Sequence, residues 1–203
     1  MIVIAGNIGV GKTELTRLLA ERLHGQPLFE AVSDNPYLAD YYQDMQRWGF
    51  HTQVFFLVRR MQHHYAMQKQ SGIILQDRSI YEDSEIFARN LYEQGDITPR
   101  DWNTYLELYN LLAQSLQPPQ LVIYLSATID TMQQRIAQRG HAYERRIPRA
   151  YLEQLQVLYD AWIERFDLCP VLWVDTDQLN YVDNETDLQA VVEAVQRQID
   201  QYV

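Results

Sequence analysis

Lysine is nearly absent from this 203-residue chain: only Lys12 and Lys69 occur, among 17 basic and 27 acidic side chains. The resulting net charge of -10 excludes a general nucleic-acid or anionic-membrane surface, while leaving room for a local basic pocket. Cysteine is scarcer still. Cys169 stands alone, so an intrachain disulfide is impossible and a reducing compartment is the default. No apolar run approaches the roughly 18 residues of a membrane span. The N-terminus runs straight into an apolar segment with no signal-peptide layout, so a soluble, cytoplasmic protein is expected. Repeats, low-complexity tracts and linkers are also missing, which suits one domain over residues 1–203. So are Asp-x-x-Gly and Asn-Lys-x-Asp, the switch and guanine motifs of a regulatory GTPase. His63 and His64 lack a companion set for a metal and read as a solvated helix face.

What the chain does have is concentrated at its start. Three of its eight glycines fall within six residues, in Gly6-Asn7-Ile8-Gly9-Val10-Gly11-Lys12-Thr13. The apolar run Ile2-Val3-Ile4-Ala5 precedes them, and Leu15, Leu18, Leu19 and Leu23 follow with helical spacing. A phosphate-binding loop needs this context. Glycines let backbone N–H groups converge on phosphate oxygens, and the helix behind points its positive end at the same place. Lys12 would reach the terminal phosphates and the Thr13 hydroxyl would ligate Mg²⁺. A plain strand-to-helix turn is the dull alternative.

Short apolar segments at 28–30, 73–75, 121–125 and 171–174 alternate with helical patterns. The helices are expected through about Arg47, then at 51–70 after an interruption at Gly49, through Ile80, Ile86, Phe87, Leu91 and Tyr92, and at 99–116, 130–138, 151–166 and 187–199. Pro148 reads as a first helical residue. Strands alternating with helices predict a three-layer α/β domain with five parallel strands.

Ligands of open α/β sheets sit beyond the carboxyl ends of the strands. The polar residues found there are Gly6 onward, Glu30, and Asp77-Arg78-Ser79. A carboxylate in such a crevice takes a proton from a hydroxyl, a second holds Mg²⁺, and an arginine offsets charge on a transferring phosphate. Each alone could be a helix cap; together they favour a phosphotransferase. Arg135, Arg139, Gly140, His141, Glu144, Arg145 and Arg146 suit a lid over about 135–147 that closes cations on phosphates. The duller reading is cations set against a helix C-terminus.

The combination of Gly6–Thr13, Glu30, Gln53, Asp77-Arg78-Ser79 with Asp83 and Phe87, and Arg139 through Glu144 to Pro148 resembles the deoxyribonucleoside kinases. The bacterial deoxyadenosine/deoxyguanosine kinases are the nearest likeness, over residues 1 to about 190. The resemblance implies a P-loop kinase fold with ATP and Mg²⁺ as cofactors, and transfer of the γ-phosphate to a deoxyribonucleoside 5′-hydroxyl. It implies Glu30 as the base, with Arg78 and Lys12 at the transferred phosphate and Asp77 beside Thr13 at the metal. Gln53 would pair with the nucleobase edge, Arg60 and Asp83 would polarise it, and Phe87 would stack on it. Tyr42 and Glu144 would hold the sugar. Arg135 and Arg139 would serve as lid arginines, and Asp175 to Asp177 would approach the donor base. A homodimer is implied as well.

Gln53 and Arg60 are seven apart, two helical turns, so independent physics puts them on one side of a helix. Purine acceptors are favoured, with deoxycytidine the alternative. His141 departs from the usual second lid arginine. An imidazole is the weaker cation near pH 7–8, unless Arg145 or Arg146 takes the role. Two rivals remain: a nucleoside monophosphate kinase of thymidylate type, and a non-catalytic kinase-like subunit.

Overall fold

The computed structural model describes residues 1–30, 34–67, 72–141, 144 and 147–201. Five strands, β1 (Ile2–Gly6), β2 (Gln26–Leu28), β3 (Ile74–Asp77), β4 (Leu121–Ser126) and β5 (Val171–Asp175), pair in parallel in the order β2-β3-β1-β4-β5. Around them lie α1 (Lys12–Arg22), α2 (Leu38–Tyr41), α3 (Met45–Met67), α4 (Ile80–Glu82), α5 (Arg89–Glu93), α6 (Pro99–Ala113), α7 (Ile129–Arg139), α8 (Arg149–Arg165) and α9 (Glu185–Asp200). A π-helical turn, Asp83–Ala88, joins α4 to α5.

The apolar run of β1 follows from its central place, buried along its whole length. Side chains alternate across a strand, and here they feed two cores. Ile2 and Ile4 pack with Leu15 and Leu19 of α1 and Val191 and Val195 of α9. Val3 and Ala5 pack on the other face with Leu155, Tyr159 and Trp162 of α8. With helices on both faces, the three-layer architecture expected from the sequence is the one found. The chain leaves β1 to build the β2–β3 side, then returns to the far side with β4. That reversal opens a crevice at the carboxyl end of β1, where such sheets bind ligands.

Several boundaries differ from the sequence reading. The second strand ends at Leu28, so Glu30 lies beyond it rather than within it. The third strand starts at Ile74, one residue later than expected, and ends at Asp77 as the sequence suggested. Gly49 does not interrupt: α3 passes through it, because a Cβ there would sit 3.3 Å from Leu91 Cδ1 and the helix packs close. Close packing thus overrides the weak helix propensity of glycine. Pro148 is the cap preceding α8 rather than its first residue. His64 is buried, 8% exposed, on the inner side of α3, so the pair is not a solvated face. Burial and the nearby N-terminal ammonium hold its imidazole below the usual range.

Candidate active site: a phosphate loop facing a carboxylate and two arginines

The loop after β1 folds as its glycines require. Gly11 has φ 109° and caps α1 in the left-handed region, and a Cβ there would stand 2.4 Å from the Tyr181 hydroxyl. Lys12 is buried and its Nζ donates to the Asn7 carbonyl at 2.8 Å, so the loop closes on its own cation. Asn7 in turn donates to the Leu152 carbonyl at 2.9 Å, tethering the loop to α8. The Thr13 hydroxyl donates to Asp77 Oδ2 at 2.6 Å, which brings the ends of β1 and β3 together.

Across the crevice, Glu30 Oε1 accepts from Arg60 Nη2 and Arg78 Nη1, each at 3.1 Å. Burial alone would raise the Glu30 carboxyl, but the charges of Arg78, Arg60 and Lys12 outweigh it and hold it below the usual range. Glu30 is therefore ionised at neutral pH. Arg60 also grips Asp83 through Nε at 2.6 Å and Nη2 at 2.9 Å, and donates to the carbonyls of Asp77 and Arg78 at 3.3 and 3.0 Å. Those bonds engage all five guanidinium donors. Arg60 organises the pocket and has no donor left over for a base.

Arg78 sits at φ 68°, a left-handed backbone that costs a long side chain about 1–3 kcal/mol. Its surroundings hold it there. The Arg78 N–H donates to the Ile4 carbonyl at 3.0 Å, and its carbonyl accepts from Gln76 Nε2 at 2.8 Å as well as from Arg60. The guanidinium lies 4.1 Å over the Phe87 ring. Asp83 and Phe87 both belong to the π-helical turn, a feature frequent at functional sites.

These groups border one cavity of about 550 Å³, lined by Lys12, Thr13, Glu30, Gln53, Asp77 and Arg78 among others. Gly9, Gly11, Tyr42, Phe87, Arg135, Arg139, His141 and Glu144 reach the same cavity. Arg60 and Asp83 stand behind its wall. Among the described residues, eight buried side-chain polar atoms lack a protein partner, and four belong to lining residues: Thr52 Oγ1, Gln53 Oε1, Asp77 Oδ1 and Arg78 Nε. Buried polar atoms are normally satisfied, so this clustering marks a place built for a polar ligand.

The sequence model of the deoxynucleoside kinase family matches residues 2–200. The chain belongs to that family. It is similar to the deoxyadenosine/deoxycytidine kinase of Bacillus subtilis (strain 168), with 35% identity over 197 residues, covering 96% of this chain and 91% of that one. It is 33% identical over 204 residues to a deoxyguanosine kinase of Lactobacillus johnsonii, covering 96% and 90%. Among solved structures, the deoxyadenosine kinase of M. mycoides with bound dATP matches with a TM-score of 0.83 at 27% identity, over 96% of this chain and 98% of that one.

In this kinase Arg135 and Arg139 differ from one another. Arg139 forms a two-pronged pair with Glu144, at 2.9 and 2.5 Å. Arg135 is not a free arm: it donates to the carbonyls of Val10 and Thr176 and to Thr176 Oγ1, at 2.8–3.0 Å. It ties α7 to the phosphate loop and to the turn after β5. In that turn Thr176 points inward and is 2% exposed, whereas Asp175 and Asp177 face outward. Asp177 Oδ2 accepts from the Thr128 N–H at 2.6 Å. Arg145 and Arg146 lie outside the described residues. Thr52, Thr176 and Glu82 escaped the sequence reading; only Glu82 carried a local signal, the capping-box spacing Ser79-x-x-Glu82.

Burial, together with the Arg78 charge, lowers the Lys12 ammonium to about 8. Below that pH the free protein already carries the charge that phosphate needs. Above it Lys12 is neutral when free, so if phosphate binds Lys12 as the loop sequence leads us to expect, nucleotide binding takes up a proton. ATP affinity is expected to fall by up to roughly ten-fold per pH unit above about 8. Titration calorimetry at about pH 9, in buffers of different ionisation heat, reads the uptake directly; no buffer dependence would refute it.

Proposed function

We propose that this kinase transfers the γ-phosphate of ATP to the 5′-hydroxyl of a deoxyribonucleoside, with purine deoxynucleosides preferred. The observation that carries the reading is the position of Glu30, ionised, bonded to two arginines, and sharing one cavity with the phosphate loop. A 5′-hydroxyl donating to Glu30 gives up its proton there as its oxygen attacks. Arg78 Nε, buried without a partner, is available to the transferring phosphate. Lys12 exchanges the Asn7 carbonyl for phosphate oxygens. Positioning and charge stabilisation of this kind account for most phosphoryl-transfer catalysis.

The donors near Lys12 also fit Mg²⁺, which prefers hard oxygen ligands and keeps several waters. Thr13 Oγ1 and the unpartnered Asp77 Oδ1 are such oxygens. Bound there, the ion would neutralise charge on the donor phosphates. At the acceptor end Gln53 Oε1, buried and unbonded, suits an exocyclic amino group of a base. Asp83, held on Arg60 behind the cavity wall, would polarise the same edge from there, Phe87 supplies a ring, and Tyr42 and Glu144 supply polar contacts for the sugar. Burial holds the Tyr42 hydroxyl neutral, as a donor. Arg135 and Arg139 border the donor side, with Asp175 and Asp177 near its outer rim.

The monophosphate-kinase alternative is disfavoured by the arginines themselves. Arg60 and Arg78 are both bonded to Glu30, so an acceptor phosphate would have to compete with a carboxylate for them. Family likeness leads us to expect a homodimer in the cytoplasm. No helix among the described residues is long and apolar enough to cross a membrane. The deciding assay supplies Mg·ATP with each of the four deoxyribonucleosides and their monophosphates and measures ADP. Fastest turnover with deoxyadenosine or deoxyguanosine is expected. Turnover confined to a monophosphate would overturn the reading, and none at all from ATP-binding protein would favour a non-catalytic subunit.

A further inference from the structure

Glu82 is wholly buried, with 0% exposure, and four donors meet its carboxylate. Oε1 accepts from the Gly6 N–H at 3.2 Å and the Tyr159 hydroxyl at 2.9 Å. Oε2 accepts from the Ser79 N–H at 2.8 Å and the Ser79 hydroxyl at 3.1 Å. A helix cap explains only the second oxygen. The first one binds an amide 76 residues away in sequence, at the start of the phosphate loop, and a hydroxyl of α8. Burying a carboxylate is costly, and an apolar residue would fill this site more cheaply.

Three parts of the catalytic frame therefore converge on one side chain. Gly6 opens the loop that cradles the donor phosphates, Ser79 follows the strained Arg78, and Tyr159 belongs to the helix that also holds Asn7. Arg78 and Lys12 are the cations that act on Glu82. Neither bonds it: Lys12 is on the Asn7 carbonyl and Arg78 on Glu30.

Taking the kinase reading as given, we propose that Glu82 is a positioning residue for phosphoryl transfer. Its ionised carboxylate fixes the first amide of the phosphate loop against the Arg78 turn, so that donor phosphates and arginine keep one separation. The carboxylate is needed in that form because all four of its partners donate. The Tyr159 and Ser79 hydroxyls can turn to accept, but the Gly6 and Ser79 amides only donate, so an amide NH₂ would face an N–H on one side and release it, and a protonated oxygen would hold its N–H more weakly.

The charge state provides the readout that a purely structural role would lack. Burial raises the Glu82 carboxyl; the charges of Arg78 and Lys12 and the bonds from Tyr159 and Ser79 oppose this, and the net direction is upward. Tyr124 adds a phenol nearby. Glu82 is thus protonated as pH falls, at a higher pH than an ordinary glutamate and well before Glu30.

The test is steady-state kinetics with Mg·ATP and the best deoxyribonucleoside, across the acid range, for the wild type, Glu82→Gln and Tyr159→Phe. The wild-type kcat is expected to bend downward on the acid side, above the ordinary glutamate range. Glu82→Gln is expected to lower neutral kcat roughly 10–100-fold, with both KM values nearly unchanged and the bend abolished. Tyr159→Phe removes one donor and keeps the ring; it should lower kcat less and move the bend to higher pH. Unchanged kcat and an unchanged bend in folded Glu82→Gln overturn the proposal. If that variant does not fold, the same null result in Tyr159→Phe does so. A wild type inactive with every deoxyribonucleoside would fell the kinase reading itself, and the role of Glu82 with it; an active wild type with indifferent variants would fell only the role of Glu82.

Discussion

Replacing Glu30 with glutamine should cut kcat by ~10²–10⁴-fold, the usual worth of a general base. Nucleoside binding should survive largely intact. The amide keeps the size of the carboxylate and still offers an oxygen to Arg60 and Arg78, which contact one Glu30 oxygen between them. What it loses is the capacity to take a proton from the attacking hydroxyl. The alanine variant should show the same kinetic loss with greater destabilisation, because two buried guanidinium groups then lose an acceptor. Single-turnover rates beside equilibrium nucleoside binding separate the two effects. Retained turnover in Glu30→Gln would remove Glu30 from the chemistry.

Arg78→Gln carries the second large effect, an expected loss of about 10³-fold or more in kcat, comparable to losing an arginine that stabilises transferring phosphate. The backbone argues for this specific role. A long side chain held at φ 68° is expensive, and the chain holds it with bonds to both its N–H and its carbonyl. Glutamine leaves that strain unchanged, so the variant tests the charge rather than the turn. Glu30 loses the largest of the charges lowering its pKa and should titrate higher. The stability cost should stay below the ~3–5 kcal/mol of an orphaned buried charge, because Arg60 still pairs with Glu30. Arg78→Lys should recover part of the rate but not all of it, since an ammonium reproduces the charge without the forked geometry. If Arg78→Gln turned over within a few-fold of wild type, Arg78 would have no role in phosphate transfer.

The parts of this site that were legible in the sequence are those whose chemistry is local. Gly6 to Thr13 form a contiguous pattern, and Glu30, Asp77 and Arg78 could be placed because strand ends are recognisable and ligands gather there. Gln53 and Arg60 came from the family resemblance, and helical spacing added only that they share one side of a helix. The residues that escaped depend on distant partners. Glu82 looks like an ordinary cap until Gly6 and Tyr159 are seen to reach it, and Thr176 faces inward only because Val10 and Arg135 lie behind it. Arg135 and Arg139 are four apart on one helix, yet one grips the phosphate loop and the other Glu144. The π-helical turn shows how periodicity fails: its apolar spacing still reads as helix, while the wider turn lies packed between α3 and α8. Gly49 failed in the opposite direction, since a residue that breaks isolated helices is harmless where it lets two elements approach.

Arg60 has a consequence for how enzymes of this kind change their diet. The guanidinium that aligns Asp83, on the proposed base side, also supports Glu30, on the proposed reaction side, and braces the Arg78 carbonyl. On the proposed role of Asp83 in base choice, a mutation there frees two Arg60 donors beside Glu30 and the strained turn, and these are expected to pull on both. Substrate drift and reaction speed are consequently yoked in one side chain. Lineages that exchange one nucleobase for another should do so through Gln53 and the surrounding wall first, and reach Asp83 only together with a compensating change at position 60.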